Sequence, residues 1–462
     1  MANEEIYQSP FAYRYASREM LELFSPKTRY GLWRRLWLSL AKAEKELGLN
    51  ITEEQIKDLE EHLDDIDFEK VNEREKIVRH DVMAHIYAYG EVAKKGRSII
   101  HLGATSCYVT DNSDLIIYKR GLEAIRGLLI KVMKELIEYA ELYKDTPTNA
   151  YTHYQPAQLT TVGKRFALWL YNYECDLKTL DFVLSEMKFL GSRGTTGTEA
   201  SFLDLFDGDD SKVDKLNELI ARDFGFDRLV EVSGQTYPRK TDYSILSLLS
   251  SIAQSSYKMA TDIRLLQHDG EIEEPFACTQ VGSSAMAYKR NPVNCEKICS
   301  LSRFIINNAS NASLTASDQW FERTLDDSAN RRITMPEAFL ALDAVLNTVL
   351  NVLGGLNINI KKIKSNVYRE LQFMATENIL MEGVKRGGDR QVLHEIIRET
   401  SMKVIEGIRS GKENDLLERL SEKEEFAFLK DEKDNILDPL KYIGRCPLQV
   451  ERYIKKVKEE IK

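Results

Sequence analysis

The clearest chemical signal in the sequence is the stretch Gly282-Ser-Ser-Ala-Met-Ala-Tyr-Lys-Arg-Asn-Pro292. A glycine and two serines open it, two cations and an asparagine follow, and Pro292 then starts a helical pattern. Small hydrated residues beside cations are typical of a loop that folds over an anionic ligand. Taken alone, the stretch also fits a solvated loop with a basic tail.

Two further polar segments stand directly before long helical patterns. The segment 101–106 (HLGATS) precedes the first, where hydroxyl groups and backbone N–H groups can bind carboxylate or phosphate. Plain helix capping is the alternative there. The segment 152–157 (THYQPA) precedes the second, and its alternative is an ordinary turn with a surface histidine.

Charged residues mark two more segments. The segment 320–332 (WFERTLDDSANRR) holds three arginines and Ser328, which could bind a phosphate through paired hydrogen bonds. A solvated charged loop is the alternative. Nearer the N-terminus, His80 stands beside Asp81 and five residues before His85. A lone histidine is most often structural, and this grouping favours a functional role only modestly.

Two other patterns could indicate a nucleotide-binding loop and a metal site, but neither interpretation is supported by its sequence context. The glycine-rich segment 191–197 looks like a phosphate loop, but no βα unit surrounds it, so a connection between two helices is the better interpretation. The histidines at 80, 85, 101, 153 and 268 do not form an HExxH or comparable metal-binding frame.

Composition restricts the class of protein. A chain of 462 residues with 43% hydrophobic and 30% charged residues is typical of a globular protein of two or three domains. The net charge of −9 argues against nucleic acid as a partner but leaves an anionic small molecule open. Six scattered cysteines and the absence of a signal peptide or an 18-residue apolar run predict a reduced cytoplasmic protein without a membrane span.

The middle of the chain contains long stripes of apolar residues at helical spacing, which we call seams. Apolar residues recur every three or four positions in four sets, at 122–139, 173–187, 245–266 and 342–356. Strand signals are nearly absent. We therefore predict an all-α fold of three helical domains, at residues 1–108, 109–358 and 359–462, with the central domain a long bundle. Because one bundle cannot cover every apolar face, copies of the chain should pack together.

Together and in this order, the motifs resemble the adenylosuccinate lyase family of the fumarase/aspartase superfamily. The matching strings are RHDVMAH, HLGATSCYV, THYQPAQLTTVGKR, SGQTYPRK, GSSAMAYKRNP and WFERTLDDSANRR. The superfamily loop usually has proline where Ala287 stands, a difference that lowers rigidity but removes no reacting group.

The resemblance implies a carbon–nitrogen lyase that releases fumarate by β-elimination from adenylosuccinate and SAICAR. It implies no cofactor and no metal, because nothing is oxidised and no phosphoryl group moves. It also implies a homotetramer with sites shared between subunits, and anionic nucleotide substrates.

The resemblance further assigns roles to residues. Ser283 matches the general base, His153 the general acid and Glu296 the carboxylate that orients His153. Lys289 and Asn291 match the groups that stabilise the dianionic intermediate. His80 matches a second site histidine. The implied phosphate ligands are Arg14, Tyr15, Arg323, Ser328 and Arg332. The other implied substrate contacts are Asp81, Thr105, Ser106, Thr152, Gln235 and Ser284.

Two alternatives stay open. Another superfamily lyase, such as argininosuccinate lyase, would keep Ser283 and Lys289 but would not need Arg323 and Arg332 for a phosphate. A non-catalytic helical protein that kept the fold, as some lens crystallins have, would not need all of the reacting residues. The presence of Ser283, His153, Lys289 and Glu296 argues against this second alternative.

Overall fold

A computed structural model describes residues 5–277, 279–282, 284–286 and 288–461. Within these residues the chain is mostly helical with a few short strands, so the predicted all-α fold is confirmed. The chain divides into two compact units. The first comprises Met1–Leu129, Cys175–Tyr257 and Lys297–Thr348, and the second comprises Ile130–Glu174, Lys258–Glu296 and Val349–Lys462. The predicted division into three domains stays a prediction.

The N-terminal elements are short. They are a π-helical turn at Phe11–Tyr15, then α1 (Arg18–Leu23), α2 (Pro26–Glu46), α3 (Glu53–Glu61), α4 (Phe68–Val78), α5 (Asp81–Val92) and a 3-10 turn at Arg97–Ile99. Side-chain caps start several of these helices. Ser25 accepts from the backbone N–H of Thr28 at the start of α2, and Thr52 and Gln55 form a capping box on α3.

The middle of the chain contains the longest helices. Its elements are α6 (Ser106–Leu142), β1 (Pro147–Thr152), β2 (Gln155–Thr161), α7 (Val162–Glu186), α8 (Ala200–Leu205), α9 (Asp210–Asp223), α10 (Lys240–His268), β3 (Ile272–Glu273), α11 (Val293–Ser317), α12 (Asp326–Leu353) and β4 (Asn357–Ile358). Strands β3 and β4 pair antiparallel. The glycine-rich segment 191–197 connects α7 with α8, as predicted.

The C-terminal part consists of shorter helices. They are α13 (Ile360–Met374), α14 (Thr376–Lys385), α15 (Arg390–Arg409), α16 (Leu416–Ser421), α17 (Leu429–Ile436) and α18 (Cys446–Glu460), with 3-10 turns at Glu424–Phe426 and Pro439–Tyr442. Leucine, isoleucine and phenylalanine side chains of α14 to α17 share one buried core.

The predicted seams are buried. On α6 the buried positions Leu122, Ile125, Leu129, Val132 and Leu136 are all fully inaccessible to solvent. The apolar period of 3.6 residues places these side chains on one face, which explains why the sequence predicted the long helices well. Helix α12 is long and apolar enough to cross a membrane by length and composition, but 72% of its most apolar window is buried, as in the core helix of a soluble protein.

The connection between α6 and α7 differs from the prediction. The sequence indicated a long helix directly after the segment 152–157, whereas β1 and β2 form an antiparallel hairpin there and α7 begins at Val162. His153 and Tyr154, at its turn, both have positive φ, at 52° and 60°. Turns of this kind are usually signalled by Asn-Gly or Asp-Gly, so His-Tyr gave no hairpin signal.

Glu44 on α2 is a buried carboxyl group without a partner. It is fully inaccessible to solvent, and neither carboxyl oxygen has a hydrogen-bond partner. Burial raises the pKa of Glu44 to about 9. In the unfolded chain the group ionises near its ordinary value, so between about pH 4 and 9 the unfolded state releases a proton that the folded state keeps. Glu44 therefore lowers stability progressively as the pH rises through this range.

We predict that Glu44→Gln raises the melting temperature at pH 8 and flattens its decline between pH 5 and 9. One pKa unit corresponds to about 1.4 kcal/mol, so the gain at pH 8 should exceed about 1 kcal/mol. Thermal unfolding across this pH range measures it. Glu46→Gln, an exposed position on the same helix, is the matched control and should leave the pH dependence unchanged. Equal pH slopes for wild type and Glu44→Gln would contradict the prediction.

Candidate active site

The first unit contains a cavity of about 800 Å³. Its wall forms where five segments meet: the start of α2, the junction of α4 and α5, the start of α6, the loop before α10, and the start of α12. Seven of the predicted site residues line it, namely His80, Asp81, Ser106, Gln235, Arg323, Ser328 and Arg332. The structure thus brings together segments that are far apart in the sequence.

The junction of α4 and α5 aims two side chains at the cavity. Arg79 ends α4 in a left-handed conformation with φ of 52°, and His80 caps α5 by accepting the Met83 N–H at Nδ1, 3.3 Å away. Because Nδ1 accepts, the proton of the neutral imidazole sits on Nε2. That nitrogen lies 3.4 Å from Ser106 Oγ at the start of α6. His80 is therefore oriented by the start of α5, and its ring faces the Ser106 hydroxyl at the start of α6.

A buried arginine, Arg239, fixes the floor of the cavity. Its Nε donates to Asp327 at 2.7 Å and its Nη1 donates to Asp111 at 3.0 Å. Arg323 also donates to Asp327, at 3.2 Å. Asp327 therefore connects Arg323, which was predicted from the sequence, to an arginine that is 3% exposed.

A second buried arginine, Arg331, holds two more carboxylates. Its Nε donates to Asp242 at 2.6 Å and its Nη2 donates to Asp114 at 3.1 Å and to the Tyr237 hydroxyl. Arg29 approaches Asp114 from the other side at 3.0 Å. Burial disfavours the charge of Arg331, yet Asp242 and Tyr237 hold its pKa above the ordinary value. These guanidinium groups are neutralised by the protein itself.

Cations for an incoming anion must come from elsewhere on the wall. Arg332 pairs with Asp81 at 3.0 Å, but its side chain is 61% exposed, so a ligand can compete for it. Arg79 is exposed, and among the described residues no ion pair of Arg79 is recorded. Arg79 and Arg332 are thus the guanidinium groups best placed to meet a phosphate.

Gln235 is held from two directions. The Cys107 thiol donates to its Oε1 at 3.3 Å, and its Nε2 donates to the Thr195 carbonyl at 3.0 Å. Burial raises the pKa of Cys107 to about 12, so the thiol stays protonated. Thr195 lies in the segment 191–197, where a Cβ on Gly197 would meet the Ser233 carbonyl at 1.9 Å. The glycine-rich segment thereby supports the cavity wall rather than a nucleotide.

Three predicted contacts in the first unit are not among the described residues that line the cavity. Arg14 and Tyr15 belong to the π-helical turn Phe11–Tyr15, where Phe11 packs on Phe304 at 5.4 Å between ring centroids. Thr105 precedes α6, and its carbonyl accepts the Tyr108 N–H at 2.9 Å. Their roles stay predictions.

The other predicted residues belong to the second unit. Thr152 and His153 are exposed at the tip of the β1–β2 hairpin. Both residues at the turn have left-handed backbone conformations, which are uncommon for residues other than glycine, and the role of His153 stays a prediction.

The loop before α11 carries the remaining groups. Ser284 and Lys289 are exposed, and the Asn291 side chain donates to the Gly282 carbonyl at 2.8 Å. Glu296 is exposed in the first turn of α11, 3.9 Å from Arg264. Within the described part of the chain, no hydrogen bond between His153 and Glu296 is recorded, so their pairing stays a prediction. Ser283 and Ala287 lie outside the described residues.

No group of three or more histidine, cysteine, aspartate or glutamate side chains that could hold a metal occurs in the parts of the chain that the structure describes. The cavity therefore offers arginines, hydroxyls, an amide and an imidazole, a set suited to binding a phosphorylated polar molecule.

Comparison with known proteins agrees with this chemistry. The sequence profile described as Lyase matches residues 18–306, and that described as Adenylosuccinate lyase C-terminus matches residues 372–453. Adenylosuccinate lyase of Schizosaccharomyces pombe is 50% identical over 97% of this chain and 94% of its own length. That of Saccharomyces cerevisiae is 48% identical over 99% of this chain and 95% of its own length.

Solved structures share the fold. The 3-carboxy-cis,cis-muconate lactonizing enzyme of Pseudomonas putida has a TM-score of 0.86 at 22% identity, covering 98% of this chain and 99% of that one. A fumarate lyase from a Mesorhizobium species has a TM-score of 0.82 at 22% identity, covering 97% and 99%. Fold and profile together define a lyase of the fumarase/aspartase superfamily. Within it, the chain belongs to the adenylosuccinate lyase family, as the motifs predicted.

Sequence reasoning missed several cavity residues. The sequence predicted no role for Arg79, which opens the motif RHDVMAH, or for Cys107, which follows Ser106. The adjacency of both to predicted site residues was a usable signal. Arg239 gave no such signal, because only the fold shows that it shares Asp327 with Arg323.

Adjacent arginines on α12 allow a matched test of the buried network. We predict that Arg331→Met destabilises the protein by about 3–5 kcal/mol, because it leaves the buried Asp242 with no cation and only the Tyr237 hydroxyl as a donor, and removes one of the two arginines at Asp114. Arg332→Met, one residue on, breaks an exposed pair and should change stability by less than about 1 kcal/mol. Chemical unfolding of both variants measures the difference. Equal losses would show that the network does not hold the cavity floor.

Proposed function

We propose that this chain cleaves adenylosuccinate to AMP and fumarate, and SAICAR to AICAR and fumarate, by β-elimination without a cofactor. The observation that carries this proposal is the cavity of the first unit. It joins two ligand-accessible arginines, Arg79 and Arg332, to the hydroxyls of Ser106 and Ser328 and the amide of Gln235. These groups suit a nucleotide phosphate and a polar base, and the 50% identical relative named adenylosuccinate lyase supports the same substrate.

The chemistry requires a base, an acid and a cationic group. A proton leaves the carbon beside a carboxylate, and a nitrogen leaves from the neighbouring carbon. We assign the base to Ser283, the acid to His153, oriented by Glu296, and the stabilisation of the dianionic aci-carboxylate to Lys289. A serine is a weak base unless it is deprotonated, so Ser283 depends on the positive charge of Lys289. Asn291 is assigned, with Lys289, to stabilisation of that intermediate, and its side chain also donates to the Gly282 carbonyl.

The remaining predicted residues complete the substrate site. The phosphate would be held by Arg323, Ser328 and Arg332 together with Arg14 and Tyr15. Contacts to the succinyl carboxylates and the base are assigned to Asp81, Thr105, Ser106, Thr152, Gln235 and Ser284, with His80 as the second histidine. Arg323 pairs with the buried Asp327, whereas the side chain of Arg332 is 61% exposed beside its partner Asp81, so the contribution of Arg323 to phosphate binding should be smaller than that of Arg332.

An absorbance assay with purified protein tests the activity. Wild type should convert adenylosuccinate to AMP, with fumarate quantified separately, and should leave argininosuccinate unchanged. Ser283→Ala should lower kcat by about 10²–10⁴-fold while substrate binding stays close to normal, because the base acts only in the transition state. Absence of turnover in wild type, or near-normal kcat in Ser283→Ala, would remove the proposed activity or the proposed base respectively.

We further propose a cytoplasmic homotetramer whose sites are shared between subunits. The five described cysteines are free thiols, which fits a reducing compartment. Helix α6 begins at Ser106 and spans 37 residues, about 55 Å, before the hairpin that carries His153. Antiparallel bundles from different subunits can place opposite helix ends in one site without requiring one chain to bridge that length.

We predict that inactive His153→Ala and Ser283→Ala proteins, mixed and reassociated after mild dissociation, recover part of the wild-type activity. Some sites in the hybrids would contain neither substitution. The measurement is the adenylosuccinate assay on hybrids verified by native mass spectrometry. A mixture of two batches of Ser283→Ala treated in the same way is the control. Verified hybrids that are no more active than their parents would contradict sharing of sites.

A further inference from the structure

The loop before α11 is held at its base by hydrogen bonds and close packing among four residues. These residues are Gln267, Glu274, Gly282 and Asn291, and we call them the loop stem. We propose that Glu274 and Gln267 are positioning residues for the elimination, holding the two ends of the loop so that Lys289 is presented in one place. This inference rests on the function proposed above.

Glu274 caps a helix that lies twenty residues further along the chain. Its Oε1 accepts the Asn294 backbone N–H at 3.0 Å and the Asn294 side-chain amide at 3.2 Å, and its Oε2 accepts the Cys295 N–H at 2.9 Å. Helix α11 begins just after Pro292, and a proline offers no side-chain acceptor for these amides. The glutamate is 4% exposed, so its charge is held in place by the free amides of the helix start.

Gln267, in the last turn of α10, bridges both ends of the loop. Its Oε1 accepts the Glu274 N–H at 3.2 Å, and its Nε2 donates to the Arg290 carbonyl at 3.1 Å. Glu274 precedes the loop and Arg290 lies near its end. One amide side chain therefore fixes the separation of the two loop ends.

The second half of the loop, from Gly282 to Asn291, also closes on itself. Asn291 donates to the Gly282 carbonyl at 2.8 Å, and a Cβ on Gly282 would lie 1.8 Å from the Lys289 carbonyl and 3.2 Å from the Phe276 ring. Only glycine fits such an approach. The Arg290 guanidinium lies 5.4 Å from the centre of the Phe276 ring and adds to the packing.

Beyond this stem, the described residues 284–286 and 288–290 are exposed. The stem joins the loop to α10 and α11, so the position of Lys289 depends on the stem. Loosening the stem should leave the cavity residues of the first unit unchanged and misplace the loop residues. The expected signature is a loss of kcat with little change in KM, since the lost interactions belong to the transition state.

The experiment compares Glu274→Gln with wild type. The amide keeps the shape of the side chain but turns an NH₂ group toward the backbone N–H donors, so part of the cap is lost. We expect kcat for adenylosuccinate to fall about fivefold or more, as for the loss of one cap, while KM stays within about twofold. The melting temperature should change by only a few degrees.

A second readout does not depend on activity. Trypsin cleaves after Lys289 and Arg290, which are exposed beyond the stem. The rate of first cleavage there, followed by mass spectrometry, should rise about 5–30-fold in Glu274→Gln, because local opening becomes easier. Glu273→Gln is the matched control. It removes the same charge one position earlier, where Glu273 makes a 3.9 Å pair with Arg290 and accepts a hydrogen bond from the Asn357 side chain at 3.3 Å. The amide oxygen of glutamine can keep that hydrogen bond, so both readouts should stay at wild-type values.

A second variant covers the case in which Glu274→Gln does not fold. Gln267→Ala removes both bridging bonds, leaves the cap in place, and should shift kcat and cleavage in the same direction. Wild-type kcat and wild-type cleavage rates in the variants would overturn the inference. So would a kcat loss that appears only with a matching rise in KM and general destabilisation. Wild type that does not cleave adenylosuccinate would instead overturn the proposed function, while the cleavage rates would still report on the stem.

Discussion

Two buried guanidinium groups, those of Arg239 and Arg331, are the constraint on which the cavity depends. A charge removed from water must be paired and hydrogen-bonded, or the fold loses several kcal/mol. The carboxylates that satisfy these arginines come from the starts of three helices: Asp111 and Asp114 from α6, Asp242 from α10 and Asp327 from α12. These arginine–carboxylate pairs therefore hold the starts of α6, α10 and α12 together. The three helix starts form part of the cavity wall.

The cavity wall contains two kinds of arginine: buried ones that pair with carboxylates of the protein, and exposed ones that a ligand can reach. Arg239 and Arg331 have carboxylate partners and little exposure, whereas Arg79 and Arg332 are exposed on the same wall. A cavity lined with arginines need not be strongly positive, because most of that charge is already neutralised. A phosphorylated ligand would then depend on the few guanidinium groups whose partners are weak or missing among the described residues. An anionic ligand that binds Arg332 would compete with its present partner, Asp81, which is partly buried.

The sequence made the fold and the family predictable but left some of the geometry undetermined. Long helices carry a 3.6-residue apolar period that is legible without a structure, and the seam of α6 from Leu122 to Leu136 lies buried as its spacing indicates. The hairpin between α6 and α7 was missed because its turn is His153-Tyr154 rather than a glycine-containing pair. The buried network could not be predicted either. Nothing local distinguishes Arg331, which is buried, from its neighbour Arg332, which faces the cavity and solvent.

Left-handed backbone conformations are concentrated in the segments that carry the family resemblance. Non-glycine residues with left-handed φ occur at Arg79, His101, His153, Tyr154 and Phe321, and each lies within a motif that carries the family resemblance. Among the described residues, only Glu199 and Asp207 adopt such values outside those motifs. At each motif the chain turns sharply, where glycine would relieve the strain but would supply no imidazole, guanidinium or ring. His101 illustrates the exchange: its Nδ1 accepts from the Trp37 indole at 2.8 Å, and burial lowers its pKa to about 4, so it stays neutral and fixes the turn before Ser106. The buried pairs and caps elsewhere in the fold supply the stability that lets these turns keep functional side chains in place of glycine.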